Sequence, residues 1–144
     1  MLSGDDPVVT GLATAIGLSS DPHVPLQIAS YQPVPFTFTA GVVIDQVNYA
    51  PAQVLAQVWQ DLAAAFAFGQ RQFGQGVAAS EIIEIIQQVA GVTAVQLQAL
   101  GRSGAAPAGP GQAVLCVSGP QPPDGAQLLQ LDPATQGQIG VWSP

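Results

Sequence analysis

The sequence predicts an α+β fold: a two-layer sandwich with an antiparallel or mixed sheet, two main helices on one face, and a short N-terminal helix. Three observations carry this expectation. Phe36, Phe38, Ala40, Val42 and Ile44 fall on one face of an extended segment, with Thr37, Thr39, Val43 and Asp45 on the other, a strand period sustained over nine residues. Residues 51–66 and 80–89 each repeat their apolar side chains at helical spacing, with glutamines and acids opposite. The chain has 144 residues and is 48% hydrophobic, enough for one domain burying about two thirds of its unfolded surface.

The elements follow in order. Residues 5–18 read as a short helix capped by Asp5 or Asp6, with Pro7 at its first position and Val8, Val9, Leu12, Ala15 and Ile16 as its apolar set. Residues 24–31 alternate around Leu26 and Ile28 as a strand, and Gln32 to Pro35 reads as a stiff extended bend. After the 36–44 strand, Pro51 opens a helix in which Val54, Val58, Leu62 and Ala65 form one row and Leu55, Trp59 and Phe66 an adjoining one, with Gly69 as its stop. Ser80 reads as the cap of the next helix, Ile82, Ile85, Ile86 and Val89 as its stripe, and Gly91 as its left-handed terminator. Thr93 to Leu100 alternates again through Val95, Leu97 and Ala99. Residues 101–112 read as a Gly/Pro-rich loop, and 113–142 as C-terminal strands ending in an antiparallel pair, 127–131 with 137–142. The whole reads as a single domain over 1–144 with its core in 21–102, standing alone or as the C-terminal part of a longer protein.

Composition narrows the function. Charged residues make up 8% of the chain, against roughly 25% in an ordinary soluble domain. Arg71 and Arg102 are the only cations, and the net charge is −7. Such a chain cannot build the basic patch that nucleic acid or an anionic membrane surface requires. No run of about 18 apolar residues exists to span a bilayer. The amino terminus carries acids where an export signal carries positive charge, so cytoplasmic placement is expected. Cys116 is the single cysteine and reads as a small buried hydrophobe rather than a reactive thiol.

Catalytic groups are scarce. His23 is the only histidine, in Asp21-Pro22-His23, and no motif supplies it with a nucleophile. Asp21 with Asp45, and Glu81 with Glu84, could form carboxylate pairs but read more simply as solvated positions. The glycines around Gly69 to Gly76 lack the lysine and hydroxyl of a phosphate loop. Phe73 is expected to plug the junction between the helices and Arg71 to pair with a carboxylate. No catalytic, cofactor-binding or metal site is expected.

The segments DPHVPLQIASYQPVPF and AFGQRQFGQGVAASEIIEIIQQVAGVTAV resemble the C-terminal region of the baseplate J-like wedge proteins of contractile phage tails and related injection systems. The resemblance rests on Phe73-Gly74-Gln75, Ser80-Glu81-Ile82 and Ala90-Gly91-Val92, with Ala126 to Asp132 similar to the family's closing strand. It implies a structural subunit, assembled in the cytoplasm into a phage-tail-like particle, whose partners are other wedge subunits and itself as a homodimer. Gln27 and Gln32 stand where the family often carries basic residues, which implies amide and apolar contacts rather than salt bridges. The expected contact residues are Ile139, Val141 and Trp142, with Thr37 and Thr39 as the second candidate surface. The competing reading is a small ligand- or peptide-binding α+β module that uses its open sheet face.

Overall fold

The computed structural model describes residues 7–19, 28, 30–105, 114–115 and 126–142. Its elements are helix α1 (Pro7–Ser19), strand β1 (Gln32–Ile44), helix α2 (Pro51–Ala65), a 3-10 turn (Phe68–Gln70), β2 (Val77–Ala78), α3 (Ala79–Gln87), β3 (Val92–Arg102), β4 (Val114–Leu115), β5 (Gln127–Leu131), a second 3-10 segment (Pro133–Gln138) and β6 (Ile139–Val141). The fold is α+β, with a mixed sheet whose one face is covered by α2 and α3.

Strand β1 organises the sheet. It pairs antiparallel with β3 along one edge and parallel with β5 and β6 along the other. Its alternation does what the sequence implies: Phe36, Phe38, Ala40, Val42 and Ile44 are all buried. Against them pack Val54, Val58 and Leu62 from α2 and Ile82 and Ile86 from α3, with Val89 just beyond, in one cluster. Burying a Leu or Ile side chain contributes about 1.5–3 kcal/mol, so this seam accounts for most of what holds the layers together.

Four expectations change. Gln32 to Pro35 is the first part of β1, paired with Gln127 to Gln130, instead of a bend. Ile28, Ser30 and Tyr31 lie in irregular backbone, and residues 24–27 are outside the described residues. Ser80 sits inside the first turn of α3; the cap position is Ala78, with no side-chain hydrogen bond. The strand β3 runs to Arg102, so Gly101 and Arg102 belong to the ladder, opposite Thr37 and Phe36.

The strict alternation expected for β3 fails for a physical reason. The register skips Gln98 between Thr39 and Ala40, and skips Thr93 between Val43 and Ile44. Each extra residue reverses the facing of the strand beyond it. Val92, Val95, Leu97 and Leu100 therefore share the core face, and Leu100 is buried where Ala99 was expected to point inward.

The C-terminal segments are not an antiparallel pair. Both β5 and β6 run parallel to β1 in a single lane, beside Gln32–Phe36 and Ala40–Val42 respectively. Pro133 cannot donate to a ladder, and the chain leaves the sheet there as the 3-10 segment before rejoining it. Asp132 starts that excursion: its carboxylate accepts the Ala134 N–H at 2.9 Å, while its own N–H donates to the Phe36 carbonyl at 2.9 Å.

Helix α1 forms near the bounds expected, with Pro7 as its first residue. Asp5 and Asp6, its expected caps, are outside the described residues. No residue of α1 is buried.

Candidate functional site

The turn between α2 and α3 gathers the most distinctive side chains. Phe66 closes α2, is buried, and meets Phe36 edge-on at 5.2 Å between ring centroids. Arg71 then turns inward, its side chain only 3% exposed. Its Nη1 donates to the Glu81 carboxylate, its Nη2 donates to the Gly76 carbonyl at 2.6 Å, and its guanidinium lies 5.0 Å from the Phe66 ring centroid. Charge pairing, a backbone acceptor and an aromatic face together offset the desolvation of this cation. The expected pairing of Arg71 with a carboxylate is what the structure shows.

Phe73 does not plug the helix junction; Phe66 does. Gly74 adopts φ +74°, a left-handed conformation that glycine enters without strain, and donates its N–H to the Gln127 carbonyl at 2.9 Å. Gln75 and Gln72 close the turn through the Gln75 side-chain oxygen, which accepts the Gln72 N–H. These bonds turn Phe73 outward, 48% exposed, next to Phe68 at 56%. Tyr31 joins them, with ring centroids 5.4 Å from Phe68 and 5.9 Å from Phe73. Three aromatic rings in tilted and edge-on contact thus stand at the surface on the segment around Arg71.

Trp59 marks a second apolar feature. It lies half-buried on the flank of α2 that faces the β5–β6 lane. On one side of it is a depression of about 250 Å³ lined by Leu55, Ala56 and Ile139. On the other is one of about 280 Å³ lined by Ala63, Phe68, Leu131 and Pro133. The lining of both is apolar or amide, with no ionisable side chain.

The expected contact residues separate into three environments. Ile139 is 8% exposed and belongs to the core, opposite Ala40 in the ladder, so only its edge reaches the depression beside Trp59. Val141 and Trp142 are exposed at the end of β6. Trp142 lies across Gly41: a Cβ there would come within 3.2 Å of the Trp142 Cβ, so the ring has its place because residue 41 has no side chain. Thr37 and Thr39 are half-buried under the 3-10 segment. Both hydroxyls donate to the Gln138 side-chain oxygen, at 3.1 and 3.2 Å, and the buried Thr135 hydroxyl donates to Thr37 at 3.1 Å. The outer sheet face is therefore occupied here by the protein's own C-terminal segment.

Of the carboxylates expected as solvated positions, Glu84 is exposed as expected, while Asp45 and Glu81 are only partly exposed and have partners within the fold. Asp45 caps the turn into α2: it accepts from Asn48 Nδ2 at 2.7 Å and from the Val47 and Asn48 N–H groups. The Asn48 side chain chiefly holds its carboxyl below the ordinary range; partial desolvation opposes this, and the Val47 and Asn48 amides add to it. Glu81 is taken by Arg71 and Glu84 by Gln88 Nε2 at 3.4 Å, so they do not meet as a pair. His23, Asp21 and Cys116 lie outside the described residues. Among the described residues no three metal-capable side chains come together, and no helix is long and apolar enough to cross a membrane.

Comparison with known proteins finds no family model and no curated protein that matches the chain.

Proposed function

We propose that this chain is a non-enzymatic structural subunit of a contractile tail or injection-system baseplate, joining wedge subunits through protein–protein contacts. The observation that carries the reading is the surface cluster of Tyr31, Phe68 and Phe73. Aromatic rings held in a fixed place and left open to solvent are the side chains that dominate protein interfaces. Their turn is also the segment that carries the baseplate resemblance. Each resembling tripeptide has a structural duty: Gly74 bends the turn, Glu81 pairs with Arg71 in it, and Gly91, at the junction of α3 and β3, adopts φ +95° against Tyr49.

The charge pattern supports the same use. With 8% charged residues, the chain covers its surface with amide and apolar groups, and such surfaces suit permanent contacts in a large particle. The partners would be other wedge subunits and a second copy of the chain, with the particle assembled in the cytoplasm.

Co-expression with the tail proteins encoded beside this gene tests the proposal. The full chain should co-purify with at least one baseplate component, and a Phe68→Ser/Phe73→Ser variant should lose that partner. Neighbouring genes without sheath, tube or spike proteins, together with no stable partner, would overturn it.

A further inference from the structure

The segment from Pro133 to Trp142 crosses the outer sheet face as a strap, and it is open on most of its surface. Of its residues only Thr135 and Ile139 are buried; all the others are exposed. Its strand, β6, has 3 residues, short even for an edge, and pairs parallel with Ala40–Val42 at the rim of the sheet. The body beneath is built differently. There β1 and β3 pair antiparallel from Phe36 to Ile44, with Phe38, Val42 and Leu100 closed off from solvent.

The strap is thinly backed as well. Between it and α2 lies the depression of about 250 Å³ that reaches Gln136 and Ile139, so the helix does not close against β6. A Cβ at Gly137 or at Gly140 would meet nothing within 4 Å. No residue of the strap is ionisable, so no ion pair holds it. Its fastenings are few. Gln138 accepts from Thr37 and Thr39, Thr135 donates to Thr37, and the Trp142 N–H donates to the Val42 carbonyl at 2.8 Å. Ile139 enters the core and Trp142 lies across Gly41. Two buried side chains and a handful of hydrogen bonds, each of modest net worth in water, oppose the conformational entropy of the whole segment. Segments with so little buried contact open well before the fold as a whole.

We propose that Pro133–Trp142 is a hinged strap that lifts from the sheet as one unit while β1, β3, β5, α2 and α3 stay folded. The hinge is Asp132-Pro133. The Asp132 N–H is fixed to the Phe36 carbonyl at the end of β5, whereas Pro133 has no N–H with which to continue the ladder. Withdrawing Ile139 enlarges a depression that is already open and leaves Phe38 and Val42 packed against α2 and α3. Lifting uncovers the Thr37 and Thr39 hydroxyls and frees the backbone groups of Ala40–Val42, an edge to which an extended segment can add. The covered and the open edge are thus two states of one chain, and the inference holds whether or not the chain assembles with tail proteins.

Native-state amide hydrogen exchange of the full chain, followed by NMR, tests this. The Thr135 and Trp142 amides should have protection factors that agree within about threefold, and these should lie at least about a hundredfold below those of the β1–β3 ladder. Trp142→Ala, which removes an exposed ring, should speed exchange of the strap by about threefold to tenfold and leave the β1–β3 ladder unchanged. Ile139→Ala should act on the same amides by a larger factor. Strap amides as protected as the β1–β3 ladder would overturn the proposal, because the strap would then open only with the whole fold. So would protection that falls steadily from Thr135 to Trp142, which is fraying from the chain end, or a Trp142→Ala variant that speeds both groups equally.

Discussion

Helix α3 is shorter than α1, yet it buries Ile82 and Ile86 completely while α1 buries nothing. Both are rich in aliphatic residues; arrangement separates them. In α3 the aliphatic side chains form one stripe, with Glu84 and Gln87 exposed on the other side. In α1 they spread around the axis, interrupted by Gly11 and Gly17. The fold uses the helix that has an inside and an outside. Helix α1 has no fully buried residue: Val9, Ala13 and Ile16 are half-buried and its other side chains are exposed.

The largest effect that separates the two helices is in stability. Ile86→Ala, or Leu62→Ala in the facing row of α2, should lower the unfolding free energy by about 2–5 kcal/mol in chemical denaturation. Leu12→Ala should change it by less than about 0.5 kcal/mol. Equal losses at Ile86 and Leu12 would place α1 in the core and break the comparison.

The support beneath the aromatic turn comes next. Glu81→Ala leaves the buried Arg71 guanidinium with the Gly76 carbonyl and the Phe66 ring but no counter-charge, which should cost about 1–3 kcal/mol. A cost near zero would mean that the ion pair does not hold the turn.

Glycines sharpen the comparison further, because the same substitution should act with opposite sign. Gly91 sits at φ +95°, and a Cβ there would come within 2.7 Å of the Tyr49 ring. Gly91→Ala should destabilise by more than about 1 kcal/mol. Gly11 lies in a helix with open space around it, so Gly11→Ala should stabilise by about 0.5–1 kcal/mol. Thermal unfolding of the pair reads both signs.

The smallest effect lies in the turn that feeds α2. Asp45 titrates below its ordinary value of 3.8 because the Asn48 side chain bonds its charged form. Its contribution to stability is present above the unfolded-state value and is lost as pH falls through the folded value. Asn48→Ala should raise the Asp45 pKa toward 3.8, followed by NMR titration of the carboxyl, and flatten stability between that value and lower pH.

The layer of β1, α2 and α3 was legible because each element repeats at its own period: Phe36 to Ile44 by two, Val54 to Leu62 by four. What escaped notice lacks a local signature. The skips at Gln98 and Thr93 are set by pairing with β1, and nothing in Thr93 to Leu100 announces them. The parallel lane of β5 and β6 depends on the chain's return path, while Asp132-Pro133 reads locally as a hairpin. The candidate contact residues fared unevenly for the same reason. Val141 and Trp142 are exposed as expected, whereas Ile139 alternates inward and Thr37 and Thr39 are roofed by a segment about a hundred positions away, a contact that no sequence window contains. Phe68 was not singled out, and Phe73 was expected inside; which of Phe66, Phe68 and Phe73 is buried is set by the turn, with Phe66 in the core and the other two exposed.

The central claim is that the chain has two apolar populations, one for folding and one for assembly. The Phe68→Ser/Phe73→Ser variant tests it most directly when unfolding free energy and binding to co-expressed baseplate components are measured on the same preparation. The account predicts a stability loss below about 1.5 kcal/mol with binding weakened by about tenfold or more. A loss of several kcal/mol with binding affinity unchanged in the folded fraction would contradict it, because the two rings would then belong to the core.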